Sequence, residues 1–242
     1  MYALANFTEK PEIVVPTLIE CFINEREDIG IRKSCISSLG EFGSDAQEAV
    51  VHLIKIAKSY EAEEVSIEAS LKKVAIISLG YIAESPDLVI PELKNLVGGK
   101  WTKNIFYSMQ YLAPKYPEKT VEEFGPLLSD IGREHRYLLI EVLGETKVSA
   151  KKYLPLIINA LYQTNFSSES NVCLNAINDI GVTIPDEAIP LIVKTLSSDD
   201  QRGFEALRPF KRAAIPYLQN KAEETDDPTL KDAITEFLKT IQ

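Results

Sequence analysis

The sequence contains few of the residues from which catalytic and metal-binding sites are built. Its 242 residues include three cysteines and two histidines. It has no His-Glu-x-x-His, Cys-x-x-Cys, Gly-x-Ser-x-Gly or phosphate-loop motif. The two histidines, His52 and His135, lack a partner at ligand spacing, so we interpret both as structural or surface side chains. We therefore expect no catalytic residues, no cofactor and no bound metal.

Positive charge and long apolar runs are also scarce. There are 26 basic residues against 36 acidic ones, and the formal net charge is −10. Because nucleic-acid phosphates are bound by clustered lysine and arginine, this balance makes nucleic acid an unlikely partner. No apolar run approaches the roughly 18–20 residues that cross a bilayer. The apolar fraction of 45% is nevertheless high enough for a continuous core.

The cysteines are too few and too scattered to form a disulfide framework. Cys21, Cys35 and Cys173 each lie among apolar neighbours, so we predict buried thiols, with a Cys21–Cys35 bridge as the alternative. The odd number of cysteines and the lack of a secretory signal predict a cytoplasmic protein.

The chain does contain an internal repeat. Leu39-Gly40 recurs as Leu79-Gly80, Leu143-Gly144 and Ile180-Gly181. An apolar stripe runs through each of the first two copies. Corresponding members of the two stripes lie 40 positions apart: Ile31, Cys35, Leu39 and Phe42 match Leu71, Ala75, Leu79 and Ile82. Spacings of four, four and three predict a helix with one buried face, which we call helix A. The glycine is interpreted as the signal that ends this helix.

Proline marks a second helix, helix B, in most copies. The prolines are Pro16, Pro91, Pro155, Pro190 and Pro216, with Pro126 fitting loosely and His52 in the equivalent place of one copy. We predict that these prolines lie in the first turn of helix B, because the amide N–H that proline lacks would have no hydrogen-bond partner there. Seven B helices follow from this pattern. A lone capping helix is predicted for residues 228–242, with Asp227 as its N-cap, and Met1–Phe7 resembles a truncated first repeat.

The most characteristic copy runs from Ile31 to Ile54. The copy begins with a branched residue and an arginine, and a small residue follows after two more positions, in Ile31-Arg32-Lys33-Ser34-Cys35. Three further residues lead to Leu39-Gly40. This combination resembles the HEAT repeat family, in particular the short HEAT repeats of the phycobilin-lyase-like type, over essentially the whole chain. The resemblance implies a single solenoid over residues 1–242, all-α, of about seven helix pairs plus the capping helix. It further implies a right-handed, armadillo-like α-α superhelix that presents a concave surface lined by B helices.

Four clusters of acidic residues each fall between a helix B and the next helix A. The clusters are Glu25-Glu27-Asp28, Glu61-Glu63-Glu64, Asp199-Asp200 and Glu223-Glu224-Asp226-Asp227. Carboxylates stabilise the unpaired amides of a helix N-terminus, so we interpret these clusters as helix caps. An acidic ridge that meets a basic partner is the alternative.

One segment, residues 100–119, reverses the charge of the chain and is rich in rings. It carries four lysines against one glutamate, and the only tryptophan of the chain. Its core stripe is already supplied, so Phe106, Tyr107 and Tyr111 cannot all be buried. Aromatic and arginine side chains dominate binding hot spots. We therefore predict a partner-binding surface that consists of Trp101, Lys103, Tyr107, Tyr111 and Arg136. The alternative is that the rings fill gaps between repeats.

These observations favour a non-enzymatic protein–protein interaction scaffold or adaptor, because repeat arrays vary their surface over a constant core. The partner would be another protein, acidic or mixed in charge at the predicted surface, and not a membrane. An enzyme subunit or chaperone that resembles a phycobilin lyase is the alternative. A HEAT-like DNA alkyl-base glycosylase is disfavoured by the charge balance.

Overall fold

The computed structural model describes residues 10–59, 67–82, 84–164 and 166–241. Fourteen α-helices occupy most of these residues, and the only β pairing among them is an isolated bridge between Ser197 and Asp200. The predicted all-α fold class is therefore confirmed, whereas the right-handed sense of a superhelix stays a prediction.

The two kinds of helix alternate along the chain as the sequence predicts. The seven B helices are α1 (Pro11–Ile23), α3 (Val50–Lys58), α5 (Pro86–Asn95), α7 (Pro117–Phe124), α9 (Leu154–Gln163), α11 (Pro185–Lys194) and α13 (Ile215–Glu224). The A helices are α2 (Ile29–Glu41), α4 (Ile67–Ile82), α6 (Thr102–Leu112), α8 (Arg133–Glu145), α10 (Ser167–Gly181) and α12 (Arg202–Leu207). The segment Met1–Phe7, interpreted as a truncated repeat, lies outside the described residues.

The lone C-terminal helix is confirmed as α14 (Pro228–Ile241). Asp227 caps it, because its Oδ1 accepts a hydrogen bond from the Thr229 amide at 2.9 Å. Asp28 caps α2 in the same way, with Oδ1 2.8 Å from the Gly30 amide and 3.2 Å from that of Ile31. The interpretation of acidic clusters as caps is thus confirmed at these two helices.

The chain divides into two compact units, Met1–Phe124 and Gly125–Gln242. In the first unit, α2 packs against α4 and α4 against α6; in the second, α8 packs against α10 and α10 against α12. The predicted stripe lies in these interfaces: Leu39, Leu79, Leu143 and Ile180 are all buried. The prediction of one continuous solenoid over residues 1–242 stays a prediction.

The helix-B prolines occupy two different positions. Pro155 and Pro216 lie in the first turn of α9 and α13, as predicted. Pro16, Pro91 and Pro190 lie inside their helices, so the prediction is wrong for them. The reason is a second proline five residues earlier, at Pro11, Pro86 and Pro185, where each of these helices begins.

Three glycines of the Leu-Gly motif do not end their A helices, which corrects that interpretation for them, whereas the fourth, Gly181, is the last residue of α10. Gly40, Gly80 and Gly144 lie within α2, α4 and α8 and have helical backbone angles. Their lack of a side chain allows neighbouring A helices to approach. A Cβ on Gly80 would lie 2.6 Å from the Ser108 carbonyl oxygen, and one on Gly144 would lie 3.1 Å from the Ala176 Cα. The left-handed residue after α2 is Gly43, with φ +54°.

The prediction of free thiols is wrong for two of the three cysteines. Cys21 on α1 and Cys35 on α2 form a disulfide, with their Cα atoms 6.4 Å apart. Packing of α1 on α2 brings together residues that the sequence separates by 14 positions. Cys173 is a buried free thiol, as predicted, and burial raises its pKa to about 12. No described helix has both the length and the apolar character needed to cross a bilayer.

Candidate partner-binding surface

The rings of α6 divide between the core and the surface. Phe106 is fully buried and packs edge-to-face on Phe124, with 6.1 Å between ring centroids. Tyr107 and Tyr111 remain 38% and 49% exposed. One turn of helix separates these two tyrosines, so they share the face of α6 that points away from the core. The prediction that the three rings cannot all be buried is confirmed.

Tyr111 is paired with a tyrosine of the preceding A helix. The rings of Tyr81 and Tyr111 lie 4.2 Å apart between centroids, and the Tyr81 hydroxyl donates to that of Tyr111 at 2.8 Å. This hydrogen bond is the main cause of the raised pKa of Tyr81. Tyr81 is itself 45% exposed. The pair is therefore a fixed aromatic platform at the surface, with its rings already ordered.

Lys103 lies one turn before Tyr107 on the same face. Its ammonium is 5.7 Å from the centroid of the Tyr107 ring, which is within the range of a cation–π contact. Lys103 is exposed and makes no ion pair with any residue that the structure describes. A positive charge and an aromatic face are thus presented together.

The sequence interpretation missed the contribution of α4. Lys73, Ile77 and Tyr81 have the same spacing of four as Lys103, Tyr107 and Tyr111, and each lies 30 positions before its counterpart. The offset of 40 relates α2 to α4, whereas the offset between α4 and α6 is 30. We define the tyrosine surface as Tyr81, Tyr107 and Tyr111 with Lys73 and Lys103.

The positive charge of residues 100–119 is partly cancelled in the fold. Lys115 pairs with Glu84 at 2.6 Å, and that hydrogen bond is the main cause that lowers the pKa of the glutamate. Lys119 lies within 3.4 Å of carboxylates on Asp87, Glu122 and Glu123. The net charge that the sequence assigns to this segment therefore overstates the charge available to a partner.

The other two predicted residues are Trp101 and Arg136. Trp101 is half-buried before α6, with the Lys100 ammonium 5.2 Å from its ring and an indole N–H that is buried without a hydrogen bond to the described residues. Arg136 belongs to the second unit, where its Nη1 donates to the Gln163 side chain at 3.0 Å. Their part in binding stays a prediction.

The B helices of the first unit carry charges that are matched between neighbours. Lys58 on α3 pairs with Glu92 on α5, and Lys94 on α5 pairs with Glu123 on α7, both at 3.0 Å. These groups hold adjacent helices together and offer little net charge to a partner. The exposed rings among the described residues of the first unit, Tyr81, Tyr107 and Tyr111, lie on A helices, whereas the family resemblance implies a binding surface lined by B helices.

The two histidines lie on α3 and α8. His52 packs edge-to-face on Phe22 with 6.3 Å between centroids, and His135 is half-buried on α8. Among the described residues, no group of three or more histidine, cysteine or acidic side chains is placed to hold a metal ion.

The densest polar cluster of the second unit is a helix cap. The Arg202 guanidinium donates to the carbonyls of Leu161 and Thr164 at the end of α9, at 2.8 and 2.7 Å. The same guanidinium donates hydrogen bonds to the Asp200 carboxylate, and these bonds are the main cause of the lowered pKa of Asp200. The cluster satisfies the last carbonyls of a helix, which is a structural task.

Comparison with protein-family models finds no match, and comparison with curated proteins finds none that is similar in sequence. The resemblance to HEAT repeats stays a prediction that rests on the residues of this chain.

Proposed function

We propose that this chain is a non-enzymatic protein–protein interaction scaffold or adaptor, and that the tyrosine surface is its main contact with a partner. The observation that carries the proposal is the ordered, exposed pair of Tyr81 and Tyr111 beside Tyr107 and Lys103. The alternation of A and B helices supports membership in the HEAT repeat family, whose members use a constant helical core to present variable surfaces.

These rings contribute contact area at low entropic cost. Tyrosine has two side-chain torsions, and the hydrogen bond between Tyr81 and Tyr111 already restricts them. Exposed apolar groups that lie together on a monomer often mark a surface that a partner covers. The neighbouring Lys73 and Lys103 would steer an acidic or mixed-charge protein to the surface.

The cytoplasmic location expected from the sequence needs a separate test. It rested partly on free thiols, and the disulfide between Cys21 and Cys35 weighs against it, because cytosolic thiols are kept reduced. Free thiols can be alkylated during lysis of the source cell and the cysteine peptides analysed by mass spectrometry. A Cys21–Cys35 peptide pair that remains linked would contradict a cytoplasmic location.

The function is tested by affinity capture from the source cell with the wild-type chain and a double variant, Tyr107→Ala with Lys103→Glu. Because both side chains are exposed, the variant should retain the melting temperature of the wild type. We expect it to lose the partners that mass spectrometry identifies with the wild-type chain.

A matched control is Leu88→Ala with Lys55→Glu, which removes an exposed apolar group and reverses one charge on the B helices. This control should retain the partners. Capture that survives in the first variant would refute the tyrosine surface as the main contact, and a collapse of its melting temperature would place the ring in the core.

A further inference from the structure

Three lysines occupy the same helical position on successive A helices of the first unit. Lys33 on α2, Lys73 on α4 and Lys103 on α6 each lie eight residues before Glu41, Tyr81 and Tyr111, respectively. Lys73 and Lys103 are exposed and Lys33 is half-buried. None of the three forms an ion pair with a described residue, in contrast to the matched lysines on α3, α5 and α7.

Contacts between the A helices place these lysines at the same level. The Ser78 hydroxyl on α4 donates to the Ile36 carbonyl on α2 at 3.2 Å. The ring contact of Tyr81 with Tyr111 aligns α4 with α6 in the same register. Because packed helices lie about 8–10 Å apart, we expect the three lysines to lie in a row with about that spacing.

We propose that this lysine row binds an acidic protein segment in the polyproline II conformation that crosses α2, α4 and α6. The inference rests on the proposed partner-binding function and names the partner's chemistry. A polyproline II helix has three residues per turn and rises about 3.1 Å per residue, so it repeats about every 9 Å. Acidic residues at every third position would therefore meet one lysine each.

The tyrosines explain why a proline-rich segment fits this surface better than a flexible acidic one. Tyr107 lies one turn beyond Lys103, and Tyr81 and Tyr111 lie beyond it on the same faces. Pyrrolidine rings between the acidic residues would pack on these aromatic faces, which is how aromatic grooves bind polyproline II helices. A chain of net charge −10 repels acidic segments elsewhere on its surface, so attraction is confined to places such as this row.

The test uses fluorescence anisotropy with the full chain and two labelled peptides of identical composition. The first repeats Glu-Pro-Pro, so that an acid occurs at every third position, and the second groups the same glutamates at one end. We expect the spaced peptide to bind more tightly, and higher salt to weaken its binding. Lys73→Glu and Lys103→Glu should each reduce the affinity by about fivefold or more, whereas Lys55→Glu on α3 should not.

Three results would overturn the lysine row: equal binding of the two peptides, no effect of Lys73→Glu, or tighter binding of a single-stranded oligonucleotide than of the spaced peptide. Circular dichroism of each variant establishes that it is folded, and Lys73→Ala replaces Lys73→Glu if the latter is not.

Failure of this inference can be told from failure of the proposed function. If the spaced peptide does not bind while partner capture still depends on Tyr107, the tyrosine surface stands and the lysine row is wrong. If the peptide binds through Lys73 while capture is insensitive to Tyr107, the lysine row stands and the tyrosine surface is not the main contact.

Discussion

At the scale of single residues, the glycine of the Leu-Gly motif has different surroundings in different helices. A Cβ added to Gly80 would lie 2.6 Å from the Ser108 carbonyl oxygen, which is backbone and cannot move aside cheaply. At Gly40 the nearest atom would be the Ser78 hydroxyl at 3.6 Å, an ordinary van der Waals distance. The same motif therefore requires glycine at Gly80, where a Cβ would clash with the backbone, but has room for a Cβ at Gly40.

We expect opposite effects from the same substitution at these two positions. Gly80→Ala should lower the free energy of unfolding by about 1–3 kcal/mol, because α4 and α6 must separate. Gly40→Ala should raise it by roughly 0.5–1 kcal/mol, because alanine restricts the unfolded chain and favours the helix. Urea denaturation of both variants measures the difference, and effects of the same sign would contradict the packing of the A helices.

At the scale of helices, two kinds of link join elements that are distant in sequence. The Cys21–Cys35 disulfide joins α1 to α2 in the first unit. In the second unit, Arg202 at the start of α12 binds the carbonyls that end α9. One link is covalent and the other is electrostatic, and each should have a distinct experimental signature.

Reduction of the disulfide should destabilise the chain by about 3 kcal/mol, because the bridge closes a loop of about 15 residues in the unfolded state. The measurement is the urea midpoint with and without dithiothreitol. The double variant Cys21→Ser with Cys35→Ser serves as the control, and its midpoint should not respond to the reductant.

Since burial raises the pKa of Cys173 to about 12, that thiol should also resist alkylation in the folded protein at pH 8.

Arg202→Ala should cost about 1–3 kcal/mol, because the Leu161 and Thr164 carbonyls would lose their donor while partly buried. Arg202→Lys should recover only part of this loss, since an ammonium lacks the planar fork that reaches both carbonyls and Asp200. Thermal unfolding of the two variants measures the effects. Arg208→Ala, which removes an exposed pair with Glu205, is the control and should change stability by less than about 1 kcal/mol.

At the scale of the whole molecule, the excess of acidic residues makes the response to acid informative. The pKa values of Asp200, Glu123 and Asp227 are lowered by hydrogen bonds from Arg202, Lys94 and Thr229, respectively. A carboxyl whose pKa is lower in the folded state stabilises the fold above its unfolded value, near pH 4. That contribution disappears as the pH falls through the lower folded value.

The urea midpoint should therefore change little between about pH 5 and 8 and fall below about pH 4. Asp200→Asn should start from a lower midpoint at pH 7 and show a shallower fall below pH 4, because one linked carboxyl has been removed. A fall as steep as that of the wild type would mean that the pair of Asp200 and Arg202 does not contribute to the acid response.

Local features of the sequence predicted the helices well. Stripes with spacings of three and four identified the buried Leu39 and Leu79, and the Asp227-Pro228 pair located the start of α14. These signals act within one or two turns of a helix, where the hydrogen-bonding pattern depends on neighbouring residues alone. The first turns of three B helices were predicted wrongly, because these helices begin at the additional prolines Pro11, Pro86 and Pro185.

The candidate site could be predicted only in part. The excess of rings on α6 pointed to Tyr107 and Tyr111, but the partner ring, Tyr81, lies on another helix 30 residues earlier. Likewise, nothing near Lys115 in the sequence shows that Glu84 neutralises it. Both contacts depend on the register between α4 and α6, which no local pattern specifies.

The sequence by itself therefore determined the all-α fold class, the buried positions Leu39 and Leu79, the start of α14 and the lack of known catalytic motifs. Tertiary structure decided the disulfide, the packing role of Gly80 and the assembly of the tyrosine surface. The physical reason is that helical periodicity is a property of adjacent turns. A pairing such as Cys21 with Cys35 or Tyr81 with Tyr111 depends instead on how side chains on neighbouring helices interlock.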